Sequence, residues 1–515
     1  MLYIGKPEMN GDLVIGLDSS TSATKAVAWT RDGAPLAEGR AGIPLSSPAP
    51  DWYEQDPGDW WRSACAALRE VSGKVSPARI AAIGISAQRE TFVPLDGDGT
   101  PVRPAIVWLD RRCRDDVERF AGQVGRRRIH EITGKPVDMA PVVYRMAWMM
   151  LREPAEYART AMFTGVHGYL TWRLTGRFAT SWASADPLGL FDMRERAWSG
   201  EILQALKLEP GRLPVTAAPG TVLGSVSDAA AAMTGIAAGT PVVAGGGDGQ
   251  AAGLGVNALT ERRAYLNLGT AVVGGIYARE YRVGQAWRTM GSCSGEGFYL
   301  ESSLRSGTFL TDWFVATCAG GADAAACRAR LESEAAALPV GSGGLLALPY
   351  WGAVMTPYWD PDARGCFVGL TAAHGAAHMY RALLEGIALE QAMVTRMIER
   401  EAGVRVEEFV VMGGGAASPL WLRIIADACG KPLKRARTVE ASSLGAAMCA
   451  AAGAGWFQTV AAAAEAMSGA VTDAAEPNVD RTARYAELIE IYRDIYPSLR
   501  DTCGKIAAFQ RSGGI

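Results

Sequence analysis

Apolar residues follow two spacings along this chain. Short contiguous or alternating runs, such as LVIGL from Leu13, IAAIGIS from Ile80 and LLALPY from Leu345, have the length and flanking residues of strands. Longer stretches with apolar positions three and four apart, DPGDWWRSACAALREVSG and AAHMYRALLEGIALEQAMVTRMIER, predict amphipathic helices. Their alternation predicts α/β layers. The tail from Asp480, DRTARYAELIEIYRDIYPSLRDTCGKIAAF, carries the helical spacing and predicts a closing helix without catalytic content.

The pattern also repeats at long range. A strand from Leu13 leads through a hydroxyl-rich turn into a second strand ending at Trp29, closed by the Asp32-Gly33 turn. RAYLNLGTAVVGGIYA, from Arg263, has the same design, with Asn267, Gly269 and Thr270 falling where Asp18, Ser20 and Thr21 fall in the first hairpin. A second pair, VVAGGGD ending at Asp248 and VVMGGGA ending at Ala416, leads in each case toward a small-residue helical stretch, QAAGLGVNAL or SSLGAAMCAAAGAG. The pairing implies an internal duplication, with one domain over 1–257 and the other over 258–515.

Composition narrows the partner. At 515 residues the chain is long enough for two cores, and a net charge of -3 without any block of like charges argues against a nucleic-acid or anionic-membrane surface. The expected partner is a small molecule, with a homodimer admitted. Nine cysteines without a C-x-x-C imply reduced, mostly buried thiols. The first residues, MLYIGKPEMNGD, lack a signal-peptide apolar region, and no apolar run of about 18 residues follows, so a cytoplasmic location is expected.

Several stretches can carry chemistry. Ser19, Ser20, Thr21 and Ser22 present hydroxyls and backbone N–H groups in one turn, which suits polyphosphate oxygens, and Asp18 ahead of them could hold Mg²⁺. The alternative for one such turn alone is an ordinary polar hairpin, and NLGT in the second half weighs against it. Gly247, Gly249 and Ala252 have the G-x-G-x-x-A spacing of a dinucleotide cradle, but the next strand ends in LNLGT rather than in a ribose-binding acid. The glycines instead allow close approach of backbone to ligand and a hinge that aims Asp248 into a cleft, as a general base for a hydroxyl. Capping of the following helix is the alternative for Asp248, and both roles can coexist.

Gln88, Arg89 and Glu90 end a strand, and Trp108 ends another apolar run. An Arg-Glu pair and a tryptophan face suit sugar hydroxyls and C–H groups, with a surface ion pair as the alternative. VVMGGGAASPLW permits flat approach of a planar ring before a helix starting at Ser418-Pro419. His374 and His378 have a metal-like spacing but no glutamate between them, and read as residues of a helix start.

The motifs GLDSSTSATK, WYEQDPGDWW, AIVWLDRR, VVAGGGDGQAAG, LNLGT, GCFVGLTAAHGAAHMYRALLEG and VMGGGAAS resemble, in order, those of the FGGY carbohydrate kinases. The resemblance implies an actin-like ATPase (ribonuclease H-like) fold, two duplicated α/β domains around a cleft, and ATP with Mg²⁺ as cofactors. It implies Asp18 for the metal, Thr21, Ser22, Lys25, Gly269 and Thr270 for the phosphates, and Gly307 as a further cofactor-binding residue. For the adenosine it implies Gly414, Gly415, Ala416 and Ser418, for the base Asp248, and for the sugar Gln88, Arg89, Glu90 and Trp108, with Asp248 again.

The chain departs from the family pattern in three places. AQRET resembles glycerol kinases, yet Ala140 and Val273 stand where those enzymes carry aromatic contacts, which points to an acceptor longer than glycerol, a pentulose such as xylulose. Ser20 replaces a usual glycine, so the loop must accommodate a side chain. A glycerol or tetritol kinase is the alternative within the class, and a non-catalytic sugar- or nucleotide-sensing protein is the alternative outside it.

Overall fold

Strand Ile80–Ala87 is buried along all eight residues, as expected of a central strand covered on both faces. In the computed structural model, which describes residues 11–320 and 323–512, it lies between two parallel neighbours, Leu13–Ser19 and Pro241–Gly247. Leu13–Ser19 then pairs antiparallel with Ala23–Trp29, and that strand with Pro35–Gly42. Val222–Ser225 closes the other edge and completes a six-stranded sheet.

A second sheet repeats the order. Its first parallel pair is Arg263–Leu268 with Glu408–Met412, and Leu433–Arg435 adds a third parallel strand. Antiparallel strands Val272–Ala278, Phe298–Leu304 and Arg288–Gly291 extend one side, and Thr472–Ala475 closes the other. A smaller four-stranded sheet, built from Glu54–Gln55, Phe92–Leu95, Ala105–Ile106 and Met162–Gly165, carries an additional helical lobe on the first half.

This order corrects the pairing of the two triple-glycine runs. Glu408–Met412 lies beside the hairpin strand of its own half, so its counterpart is Ile80–Ala87, and the residues that match Gly413 onward are those from Gln88. The counterpart of Pro241–Gly247 is Leu433–Arg435, which has no glycine run. The two small-residue helices are Asp248–Gly255 and Ala441–Gly453, and only the first follows a triple-glycine strand. Sequence similarity of glycine runs reported shared local tightness rather than shared position.

Helix Ala441–Gly453, from the second half, lies on the first half's sheet at backbone contact. A Cβ on Gly16 would come within 1.8 Å of the Ser443 carbonyl oxygen, and one on Gly445 within 1.9 Å of that of Ala251. Ser443 Oγ donates to the Gly16 carbonyl at 2.9 Å and accepts from Trp29 Nε1 at 3.1 Å. The closing helix is Val479–Ser512, which buries Tyr485, Ile489, Tyr492, Tyr496, Cys503 and Ala507 along one stripe. All nine cysteines are free thiols, six of them buried. No helix among the described residues is long and apolar enough to cross a membrane, and the first ten residues of the N-terminal segment considered above lie outside them.

Candidate active site

Asp248 is the first residue of helix Asp248–Gly255, at the end of strand Pro241–Gly247. Its Oδ1 accepts from the Gly249 amide at 2.7 Å and lies 3.1 Å from Arg89 Nε, while 39% of the side-chain surface stays open to the cleft. The preceding glycines are required by close packing. A Cβ on Gly247 would stand 2.5 Å from the Arg89 side chain, and one on Gly246 would stand 2.2 Å from Cys293 Sγ. Burial raises the Asp248 pKa, Arg89 and the Gly249 amide oppose it, and the carboxylates of Glu90 and Glu301 add to it.

Arg89 and Glu90 sit in a charge network that spans both halves. Arg89 Nη1 donates to Glu301 Oε2 at 2.7 Å, and Arg288 donates through Nε to Glu301 Oε1 at 2.7 Å and through Nη1 to Glu90 Oε1 at 2.7 Å. Tyr265 adds its hydroxyl to Glu301 at 3.1 Å. Burial alone would raise the Glu301 pKa, but the guanidiniums of Arg288 and Arg89 outweigh it and bring it to about 2. Nearby, Asp186 accepts from Gln250 Nε2 at 3.0 Å and stands 3.6 Å from Lys135 Nζ, whose own pKa burial lowers to about 8.

The acceptor wall is held from behind. Glu90 has φ of 49°, a left-handed conformation uncommon for its residue type. Its carbonyl accepts from Arg145 Nη2 at 2.8 Å, and the same buried guanidinium donates to the carbonyls of Val107, at 2.7 Å, and Ala140. One side chain thus ties together three segments that line the cleft. Trp108 Nε1 donates to Thr21 Oγ1 at 2.9 Å, and Thr21 Oγ1 donates to Gln88 Oε1 at 3.1 Å. Thr21 therefore faces the expected sugar residues as well as the hairpin turn.

On the nucleotide side, Asp18 accepts from Ser86 Oγ at 2.8 Å, and its pKa is raised to about 7 by burial and by the charge of Asp248, with Ser86 opposing. Ser20 is absent from the positive-φ residues, and its amide and hydroxyl both donate to the Ala23 carbonyl at 2.9 Å. The loop therefore accepts serine without left-handed backbone. Ser22 is exposed, and Lys25 Nζ reaches Glu440 of the second half at 2.6 Å.

The carbonyls of Gly269 and Thr270 accept from the amides of Thr308, at 2.8 Å, and Gly307, at 2.9 Å. A Cβ on Gly307 would stand 2.4 Å from the Gly269 oxygen. Gly414 opens onto free space, whereas Gly415 rests against the Trp421 ring, Ala416 is buried and Ser418 caps helix Pro419–Cys429 at the Trp421 amide, 3.1 Å away. The Ser418 hydroxyl also donates to Glu332 at 3.0 Å. The two histidines help to start helix Ala376–Ala402, His378 Nδ1 accepting from the Gly375 amide at 3.2 Å and His374 Nδ1 from that of Thr371 at 2.9 Å.

Sequence reasoning missed Glu301, Arg288 and Arg145. A signal was present in two of them: Glu301 is a charged residue in FYLESSL, whose seven positions are all buried, and Arg145 interrupts the apolar helix VVYRMAWMM. A lone charge in such a run requires a buried partner.

Residues 13–255 match the model of the FGGY family of carbohydrate kinases, N-terminal domain, and residues 264–454 match that of the C-terminal domain. The chain is 29% identical over 505 residues to the xylulose kinase of Bacillus subtilis (strain 168), covering 97% of this chain and 99% of that one. It is 32% identical over 489 residues to the glycerol kinase of Citrifermentans bemidjiense, covering 92% and 96%. The crystal structure of xylulose kinase from Rhodospirillum rubrum superposes with a TM-score of 0.87 at 26% identity, covering 96% of this chain and all of that one.

The chain belongs to the FGGY family of carbohydrate kinases, phosphotransferases with an alcohol group as acceptor. Its fold is the actin-like ATPase fold of that family, and the family's phosphate donor is ATP.

Proposed function

We propose that this kinase transfers the γ-phosphate of ATP to a terminal hydroxyl of an open-chain sugar or polyol longer than glycerol, with a pentulose such as xylulose as the leading acceptor. The observation that supports it best is Asp248, a carboxylate open to the cleft yet fixed by Arg89 Nε at 3.1 Å, and with a pKa raised by burial. Asp248 takes the hydroxyl proton as the oxygen attacks phosphorus and the bond to the ADP oxygen breaks. Arg89, Glu90, Gln88 and Trp108 orient the acceptor. Gly269, Thr270, Thr21, Ser22, Lys25 and Gly307 surround the phosphates, and Gly414, Gly415, Ala416 and Ser418 border the adenosine. The xylulose kinase relatives and the small side chains of Ala140 and Val273 support a longer acceptor.

Asp18 fits a Mg²⁺ role. It is a carboxylate whose ionisation is disfavoured by burial and by Asp248, so a cation arriving with the nucleotide would restore its charge. Mg²⁺ bound there would neutralise charge on the transferring phosphoryl group. We further propose the division at residue 257, a soluble cytoplasmic enzyme, and a homodimer as the oligomer to test.

The glycerol kinase reading retains one specific support, the Gln88-Arg89-Glu90-Thr91 run together with the 32% identical glycerol kinase. An assay of ADP release with ketoses, polyols and glycerol separates the readings. Asp248→Asn should lower turnover by about 10²- to 10⁴-fold while ATP binding, followed by calorimetry, stays unchanged. Unaltered turnover removes the base assignment, and ATP consumption indifferent to every acceptor favours a nucleotide switch.

A further inference from the structure

Arg305 follows strand Phe298–Leu304 and reaches from the second half toward the acceptor lobe of the first. Its side chain is 16% exposed, yet among the described residues its guanidinium makes no hydrogen bond, and its one ion pair, to Asp138 Oδ2, is long at 3.8 Å. A largely buried guanidinium normally spends its donors on acceptors. Asp138 is already engaged, accepting from the Ala140 amide at 3.2 Å. Burial lowers the Arg305 pKa, Asp138 opposes this, and the charges of Arg111, Arg288 and Arg145 reinforce it. Arg305 thus has one carboxylate at long range and guanidiniums among its charged neighbours.

A series of contacts links it to the acceptor-side residues. Asp138 holds Ala140, Ala140 is tied through Arg145 to Glu90, and Glu90 is held by Arg288. Arg305 is thereby linked through Asp138 to the wall that Ala140 leaves small.

We propose that Arg305 is a specificity-determining residue that binds oxygen acceptors at the end of the substrate opposite the reacting hydroxyl. This rests on the kinase reading above and names what that reading leaves open, the chemistry of the substrate's far end. The ligand chemistry is an oxygen-rich terminus, either the hydroxyls of a neutral five- or six-carbon ketose or polyol or the carboxylate of a sugar acid of that length. On this proposal a three-carbon acceptor that presents its terminal hydroxyl to Asp248 does not use Arg305.

The test is steady-state kinetics of wild type, Arg305→Lys and Arg305→Met with glycerol, neutral pentuloses and hexitols, and aldonic acids. Arg305→Met should raise KM for the longer acceptors by about tenfold or more, with kcat changed far less, and leave KM for glycerol and for ATP unchanged. Arg305→Lys should recover part of the loss. A larger effect on aldonic acids than on neutral acceptors would assign the carboxylate, and equal effects would assign hydroxyls. Equal KM changes for glycerol and longer acceptors, or none, would overturn the proposal while leaving the kinase reading intact, as would a wild type that accepts glycerol alone. A wild type that phosphorylates no acceptor would remove both. If Arg305→Met does not fold, the same split is read from Arg305→Lys and Asp138→Asn.

Discussion

Glu301→Gln removes one charge from the middle of the network that joins the two halves. The carboxylate is fully buried and receives Arg89, Arg288 and Tyr265. A carboxyl moved from an ordinary 4.5 to about 2 on folding corresponds to about 3 kcal/mol of stability at neutral pH. That agrees with the roughly 3–5 kcal/mol lost when one partner of a buried pair is removed. Because the folded pKa is depressed, this stabilisation is complete above the unfolded value and is lost as pH falls through the folded one. The glutamine variant cannot titrate there, so its deficit should be about 3 kcal/mol at pH 7 and should narrow by about 1 kcal/mol at pH 4. Urea unfolding of both proteins at the two pH values, followed by tryptophan fluorescence, measures this difference with every other titrating group held in common. A variant as stable as wild type at pH 7, or a deficit independent of pH, would refute the assignment of Glu301 as the ionised centre of the network.

Two further outcomes are expected. Gly445→Ala places a Cβ 1.9 Å from the Ala251 carbonyl oxygen, and backbone on both sides leaves little room to yield, so thermal denaturation should show a loss of about 1–3 kcal/mol. Trp108→Phe deletes the donor to Thr21 and should raise acceptor KM by about three- to tenfold at constant ATP KM. A change confined to ATP KM would instead place Thr21 on the nucleotide side.

The sequence pattern located both hairpins and the strand ends that carry Asp18, Arg89 and Asp248, because each is a local event: an apolar run stopped by small polar residues. The closing helix was legible for the same reason, its buried stripe being written at helical spacing. Partners across the cleft were not legible. Arg288 meets Glu90 over 198 positions and Glu301 meets Arg89 over 212, and no period in the chain encodes such a meeting. The glycine runs misled because glycine records how closely another atom approaches, and both Pro241–Gly247 and the turn after Met412, at Gly413 and Gly415, are crowded, by different neighbours in different sheet positions.

Helix Ala441–Gly453 bears on how the chain is made. Synthesised from its N-terminus, the first half completes its last sheet strand at Gly247, but the helix that covers Gly16 and Gly84 begins only at Ala441. Until then one face of the nascent sheet, with Val14, Ala82 and Val243 on it, is covered from its own half in part, by Ala183, Ala251 and Leu254. A chain cut near residue 257 would keep all six strands but lose Leu444, Ala447, Met448 and Ala450 from that face. The duplication is therefore one of architecture and not of autonomy: the first copy relies on the second to finish covering its sheet.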